Sequence, residues 1–189
     1  MGDEIMDSLV VVDCQYDFIE GTLACQKGRE AVRYLAEFIN THKVNVFYTG
    51  DWHSPTNRSF KINGGIWPVH CVAGSKGAML DSAFYEDVKE EAKRPKENNF
   101  FMKGQDDLVE EYSAFHGKNK EGKELYQVAS SHVYVGGLAS EYCVKETILA
   151  FVKAHHTVTW LLSGTGYVDK DDHEKTIKEL REMGIEIIE

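Results

Sequence analysis

Cys143 lies in Gly136-Gly-Leu-Ala-Ser-Glu-Tyr-Cys143, just past an apolar run and at the start of a stretch with helical periodicity. Ser140 is placed to cap that helix, and the unpaired amides of a helix start favour a thiolate over a thiol. The position suits a nucleophile; the plainer alternative is a small buried core residue, the usual fate of a free cysteine. Lys103 follows the apolar Phe100-Phe-Met102. Beside a cysteine it would stabilise the thiolate, and alone it would be a solvated strand end. Asp13 ends Leu9-Val-Val-Val12, where the alternative to a chemical role is an aspartate that starts a turn by accepting backbone amides. Asp17 is better explained by that turn.

Asp51-x-His53 puts a carboxylate and an imidazole on one side of an extended segment, because residues two apart share a face. His70, behind the Trp67-Pro corner, completes two nitrogens and one oxygen, the donor set of an open catalytic metal site. An isolated Asp-x-His pair would more often be a hydrogen-bonded surface pair. His42, His116, His132, His155, His156 and His173 lack such a context and read as structural or solvated. Cys14, Cys25, Cys71 and Cys143 contain no Cys-x-x-Cys pair, which fits neither a zinc–cysteine site nor a disulfide scaffold; free thiols in a reducing compartment are expected.

These residues need a frame to bring them together. The candidate strands are Ser8–Asp13, Val44–Thr49, Asn99–Met102, His132–Gly136, Thr157–Leu162 and Ile185–Ile188. Between them run helices marked by Ala31, Val32, Leu35, Phe38 and Ile39; by Val144, Ile148, Phe151 and Val152; and by Ile177 and Leu180, with Gly184 as a stop. The alternation predicts a three-layer α/β/α fold with a mainly parallel sheet of about six strands. Ligands of such sheets bind outside the carboxyl ends of the strands, and each candidate strand end delivers polar or reactive side chains to that rim. Residues 50–80 lack clear periodicity, and a loop that long is usually functional. Lys89–Asn98, charged and holding Pro95, reads as a surface connection.

The chain has 189 residues, 42% hydrophobic and 28% charged, which predicts a single domain over 1–189. A formal charge of −10 makes it a poor partner for nucleic acid or an anionic membrane surface. No apolar stretch reaches the ~20 residues that span a bilayer. The N-terminus is acidic where a secretory signal is basic, and Met6 stands where Gly2 myristoylation wants Ser or Thr. The expectation is a soluble, cytoplasmic protein, self-association remaining open.

Taken in order, Val11-Val-Asp13-x-Gln15-x-Asp17-Phe18, Asp51-Trp-His53, Trp67-Pro-x-His70-Cys-Val-x-Gly74, Lys103-Gly104, Tyr112-Ser-Ala-Phe115 and Gly137-Leu-Ala-x-x-Tyr-Cys143-Val-Lys resemble the nicotinamidase branch of the isochorismatase-like cysteine hydrolases. The resemblance runs from about residue 8 to the C-terminus. It implies the Rossmann-like fold of that superfamily, a triad of Asp13, Lys103 and Cys143, and metal ligands at Asp51, His53 and His70. It also implies a non-prolyl cis peptide entering Ala139, which turns the amides of Ala139 and Cys143 toward a developing oxyanion. Phe18, Trp67, Tyr112 and Tyr142 match positions that wall a flat aromatic substrate, ordinary packing being the alternative for the two tyrosines. The implied cofactor is one divalent ion, zinc first, with iron or manganese accepted by the same donors. The implied reaction is hydrolysis of nicotinamide to nicotinate and ammonia through a cysteine thioester, in NAD salvage.

Two departures stand out. Asn57 occupies the stretch where many relatives place a further His ligand, so its contact with an ion is expected through water or not at all. Ser163-Gly-Thr-Gly-Tyr167 replaces an Asp and an Arg of many relatives after the fifth strand. The closest alternative is another cysteine amidohydrolase of the superfamily acting on a carbamoyl or ureido substrate; such relatives typically lack the metal set. Isochorismatase itself would lack the cysteine. A non-catalytic doubly wound nucleotide-binding module would want a phosphate-cradling loop after the first strand, where Asp13 and Asp17 would repel phosphate.

Overall fold

The computed structural model describes residues 5–189; Met1 to Glu4, which include Gly2 and part of the acidic N-terminus, lie outside the described residues. The strands are β1 (Asp7–Val12), β2 (Val44–Asp51), β3 (Phe100–Lys103), β4 (His132–Gly137), β5 (Thr157–Thr165) and β6 (Glu186–Ile188). The helices are α1 (Tyr16–Ile19), α2 (Gly28–Thr41), α3 (Ala83–Glu86), α4 (Leu125–Val128), α5 (Lys145–Lys153) and α6 (Lys170–Glu182). All strand pairs are parallel, in the order β3-β2-β1-β4-β5-β6.

The period-two alternation of β1 divides the core. Leu9 and Val11 join Val46, Tyr48, Leu161 and the buried face of α2, while Val10 and Val12 join Val133, Val135, Trp160, Ile148, Phe151 and Leu180 on the α5 and α6 side. Each β1 side chain from Leu9 to Val12 is fully buried, as expected where helices cover both faces. The apolar residues expected on α2, from Ala31 to Ile39, are all buried. Asp169 caps α6 by accepting from the Asp172 amide at 3.0 Å, and Gly184 leaves the helix in a left-handed conformation (φ 82°).

β5 runs three residues beyond the expected Leu162. A register shift between Val135 and Gly137 lets Thr165 pair with Gly137. Residues 52–80 hold only short 3-10 turns. Bridges tie them together, His53 beside Val72 and Phe60 beside Trp67. Asp17 accepts from the Cys71 amide at 2.8 Å, so it binds backbone as expected but across 54 residues rather than within its own turn.

Candidate active site

The direction of strand order reverses between β1 and β4, and the carboxyl ends of β1 to β4 meet there. Asp13, one residue past β1, takes a left-handed backbone (φ 48°), which aspartate tolerates better than most residues. Its carboxylate is fully buried, and Oδ1 accepts from Thr49 Oγ1 at 2.7 Å. Oδ2 lies 2.9 Å from Lys103 Nζ without the alignment of a hydrogen bond, so its lone pairs stay uncommitted.

Lys103 ends β3 and is the register partner of Asp51 at the end of β2. Its Nζ donates to Asp51 Oδ1 at 2.6 Å and to the Glu111 carbonyl at 3.2 Å, and lies 3.4 Å from Cys143 Sγ. One ammonium, 1% exposed, thus joins two carboxylates and a thiol. The sequence places Cys143 in the first turn of an α-helix capped by Ser140, and the structure corrects this. Cys143 sits in a π-helical turn, Ser140–Val144, entered by the cis peptide Leu138–Ala139. α5 begins only at Lys145, and the Ser140 hydroxyl pairs with His173 instead of capping. π segments are frequent at functional sites.

Burial dominates the protonation of this cluster. It pushes the Cys143 thiol well above the ordinary cysteine range; nearby Lys103 pulls the other way and loses. The expectation of a resting thiolate therefore gives way to a resting thiol. Burial also raises the Asp13 carboxyl, with Lys103 opposing and Asp51 adding. Burial would neutralise Lys103, but Asp13 and Asp51 hold it well above the ordinary lysine value. Burial likewise opposes a charged Asp51, and Lys103 with the two histidines holds it well below the ordinary carboxylate range. The result is a charged Lys103–Asp51 pair beside a neutral thiol and a carboxylate of raised proton affinity.

The ligand atoms offered by Asp51, His53 and His70 all lie within 4.8 Å of one another. Asp51 Oδ2 is 3.3 Å from His53 Nε2 and 3.6 Å from His70 Nε2. The other ring nitrogens are spoken for: His53 Nδ1 is 2.7 Å from the Gly104 carbonyl and His70 Nδ1 is 2.8 Å from the Pro68 carbonyl. Those carbonyls accept from Nδ1–H and leave both Nε2 lone pairs converging on Asp51, the arrangement that ligating histidines adopt. The donor chemistry fits a divalent ion. Gly104 makes this approach feasible, since a Cβ there would stand 2.4 Å from the His53 ring. Asn57 is buried behind His53; its Nδ2 donates to the Gly104 carbonyl at 3.3 Å and its Oδ1 accepts from the Ser59 amide at 2.9 Å.

Phe18, Trp67, Tyr112 and Tyr142 line a pocket whose floor holds Asp51, His53, His70 and Cys143. Trp67 meets Tyr142 edge-on at 5.1 Å between ring centroids, and Trp67 Nε1 donates to Tyr112 Oη at 3.2 Å. Ala139 also lines the pocket, beside the nucleophile. Sequence reasoning assigned no role to several supports. Gln15 brackets Asp51, donating to its carbonyl at 2.8 Å and accepting from its amide at 2.9 Å. Thr49 orients Asp13, and Glu111 supplies the carbonyl for Lys103. Phe60 meets the rings of both His53 and His70. The signal for Thr49 was its polarity within an apolar strand end; Glu111 lies in a loop without periodicity and had none.

The family model described as Isochorismatase domain matches residues 7–189. The nicotinamidase of Saccharomyces cerevisiae is 28% identical over 222 residues, covering 97% of this chain and 100% of that protein. The nicotinamidase/pyrazinamidase of Mycobacterium tuberculosis is 30% identical over 199 residues, covering 97% and 98%. Among solved structures, the pyrazinamidase of Pyrococcus horikoshii in complex with zinc superposes with a TM-score of 0.82 at 30% identity, over 98% of this chain and 99% of that one. Matched in sequence from residue 7 to residue 189, and built on a parallel sheet whose rim brings Asp13, Lys103 and Cys143 together, the chain belongs to the isochorismatase domain family.

Proposed function

We propose that this chain is a nicotinamidase, hydrolysing nicotinamide to nicotinate and ammonia through a thioester on Cys143. The observation that carries the reading is the single buried Lys103 ammonium, 3.4 Å from Cys143 Sγ, 2.9 Å from Asp13 Oδ2 and 2.6 Å from Asp51 Oδ1. It ties a cysteine-hydrolase triad to the ligand set that carbamoyl- and ureido-specific relatives typically lack. The names of the relatives in yeast and Mycobacterium tuberculosis support the same substrate.

Asp13 Oδ2 takes the Cys143 proton as sulfur attacks the carboxamide carbon; its raised affinity for a proton suits it to this. The amides of Ala139 and Cys143 hold the oxyanion, a contribution of typically ~3–4 kcal/mol per donor. Asp13 returns the proton to the departing ammonia, then deprotonates the water that cleaves the thioester. Lys103 stays charged throughout and compensates the negative charge on its neighbours. Phe18, Trp67, Tyr112 and Tyr142 wall the ring. Asp51, His53 and His70 would hold one divalent ion, zinc foremost, which when bound would supply a fixed partner for the ring nitrogen of the substrate. Asn57, whose side chain bonds the Gly104 carbonyl and the Ser59 amide, is left out of the residues that would hold that ion directly. The whole of 1–189 acts as one domain, in the cytoplasm, and its product supplies NAD salvage.

The test is ammonia release from nicotinamide. Cys143→Ala should reduce kcat by at least about 1,000-fold while nicotinate still binds within about threefold of wild type. A variant that kept appreciable turnover would overturn the covalent mechanism.

A further inference from the structure

The π turn that carries Cys143 is short, and its closing bonds, from the Tyr142 and Val144 amides to the Ala139 carbonyl at 3.1 Å each, lie within the turn itself. Beyond the contacts that Lys103, Trp67 and Tyr112 make with it, the turn is held from the connection between β5 and α6 and from the first turn of α6. The Ser140 amide donates to the Gly166 carbonyl at 2.9 Å. The Glu141 carboxylate accepts from the Val168 amide at 2.9 Å and the Asp169 amide at 3.2 Å. Ser140 Oγ, fully buried, lies 2.6 Å from His173 Nδ1 in the first turn of α6.

His173 is itself held from two sides. Its ring stacks on Tyr167, 4.3 Å between centroids and 13° from parallel, and meets Trp160 edge-on at 6.3 Å. Tyr167 is anchored by paired backbone bonds with Gln26 at 2.7 and 3.1 Å. Burial, with Lys27 adding and Glu174 opposing, keeps the imidazole below its ordinary value. At neutral pH the ring is uncharged and forms one neutral hydrogen bond with a serine three residues from the nucleophile.

We propose that His173 is a positioning residue for the hydrolytic reaction: through Ser140 Oγ, and together with the Glu141 clasp, it holds the Cys143 turn in register with Lys103 and Asp13. Neither His173 nor Ser140 lines the substrate pocket, so the effect reaches the reaction through the turn itself, which carries Cys143 and Tyr142 and follows on Ala139. A hydrogen bond at this site matters because displacement of a nucleophile by a fraction of an ångström lowers the chemical rate, while Phe18, Trp67 and Tyr112, which lie outside the turn, still wall the ring.

The inference rests on the amide-hydrolase reading, so its test has one substrate-dependent arm and one independent arm. In the first, His173→Leu should lower kcat for ammonia release from nicotinamide about tenfold or more with KM within about threefold of wild type. His173→Asn, whose amide reaches the place of Nδ1, should recover most of the loss. Ser140→Ala should match His173→Leu, and the double variant should lose no more than either alone. In the second, the pH profile of Cys143 alkylation by iodoacetamide should move to higher pH in His173→Leu, as sulfur leaves its register with Lys103, and return toward wild type in His173→Asn, with Cys14 and Cys71 as unreactive as before. If wild type releases no ammonia, the substrate reading fails while the alkylation arm still decides the positioning role. Unchanged kcat and alkylation in a folded His173→Leu, an equal loss in His173→Asn, or additive losses in the double variant would overturn it.

Discussion

Cys143 meets opposing influences, and their balance sets its chemistry. Burial favours the thiol, and so do the Asp13 and Asp51 charges; only Lys103 favours the thiolate. Replacing Lys103 with alanine therefore removes the one influence that lowers the thiol. The pH profile of Cys143 alkylation should move to higher pH, because less thiolate is present at any given pH. The same change leaves Asp13 and Asp51 buried without a counter-ion, an imbalance that typically costs about 3–5 kcal/mol. A drop in Tm should accompany the shifted profile. An alkylation profile unmoved in Lys103→Ala would mean that the ammonium, 3.4 Å from sulfur, does not support it.

At the scale of elements, the connection after β5 does more than close the chain. Gly166 lies where a Cβ would stand 2.6 Å from Leu138 Cδ2 and 2.7 Å from the Gln26 carbonyl. The second contact is with backbone and cannot swing away. Gly166→Ala should push this connection off the turn it anchors and lower both Tm and kcat, with KM for nicotinamide changing less than kcat. Differential scanning fluorimetry with steady-state kinetics would check this; wild-type values for both would show that the connection has slack. The long segment 52–80 is a second such element. It has little regular structure, yet it delivers His53, Trp67 and His70 because the bridges at His53 and Phe60 join it to itself, while Asp17, the Gln15–Leu80 bridge and the Trp52 amide on the Lys103 carbonyl tie it to the sheet end.

For the molecule as a whole, three candidate ligands on a preformed rim would separate metal binding from folding. Asp51 is fixed by its place in β2, by Gln15 and by Lys103, and each histidine is fixed by a backbone carbonyl. The two hydrophobic layers do not depend on an ion. Dialysis against a chelator should therefore strip the metal and abolish nicotinamide hydrolysis while far-UV circular dichroism stays unchanged, with activity returning on zinc addition. Benzamide, which lacks the ring nitrogen, should be a poor substrate of the metal-loaded enzyme. Full nicotinamide turnover after verified metal removal would defeat the positioning role given to the ion. No helix among the described residues is long and apolar enough to cross a membrane, in keeping with the absence of a long apolar run in the sequence.

The sequence by itself determined the features that local pattern encodes. Apolar runs separated by helical periodicity specify strands and helices in alternation, and alternation of that kind leads to a parallel sheet whose carboxyl ends carry the chemistry. Asp13 and Lys103 were legible because each stands at the end of an apolar strand, Asp51 because it shares a face with His53 two residues on, and Cys143 because it lies closely past a strand. Their meeting within a few ångströms was not legible locally, since it depends on which strands are neighbours and on the register that pairs Asp51 with Lys103. Tertiary structure alone decided the protonation of Cys143, because burial is a property of the packed molecule and here exceeds the pull of Lys103. It also decided the fate of Ser140 and His173. A serine before a helix reads as a cap, and a histidine in a charged helix reads as structural or solvated; only the packing of α6 against the turn that carries Cys143 brings them to 2.6 Å. A hydrogen bond between residues 33 apart has no signature in either segment, and it exists because the sheet places β4 beside β5.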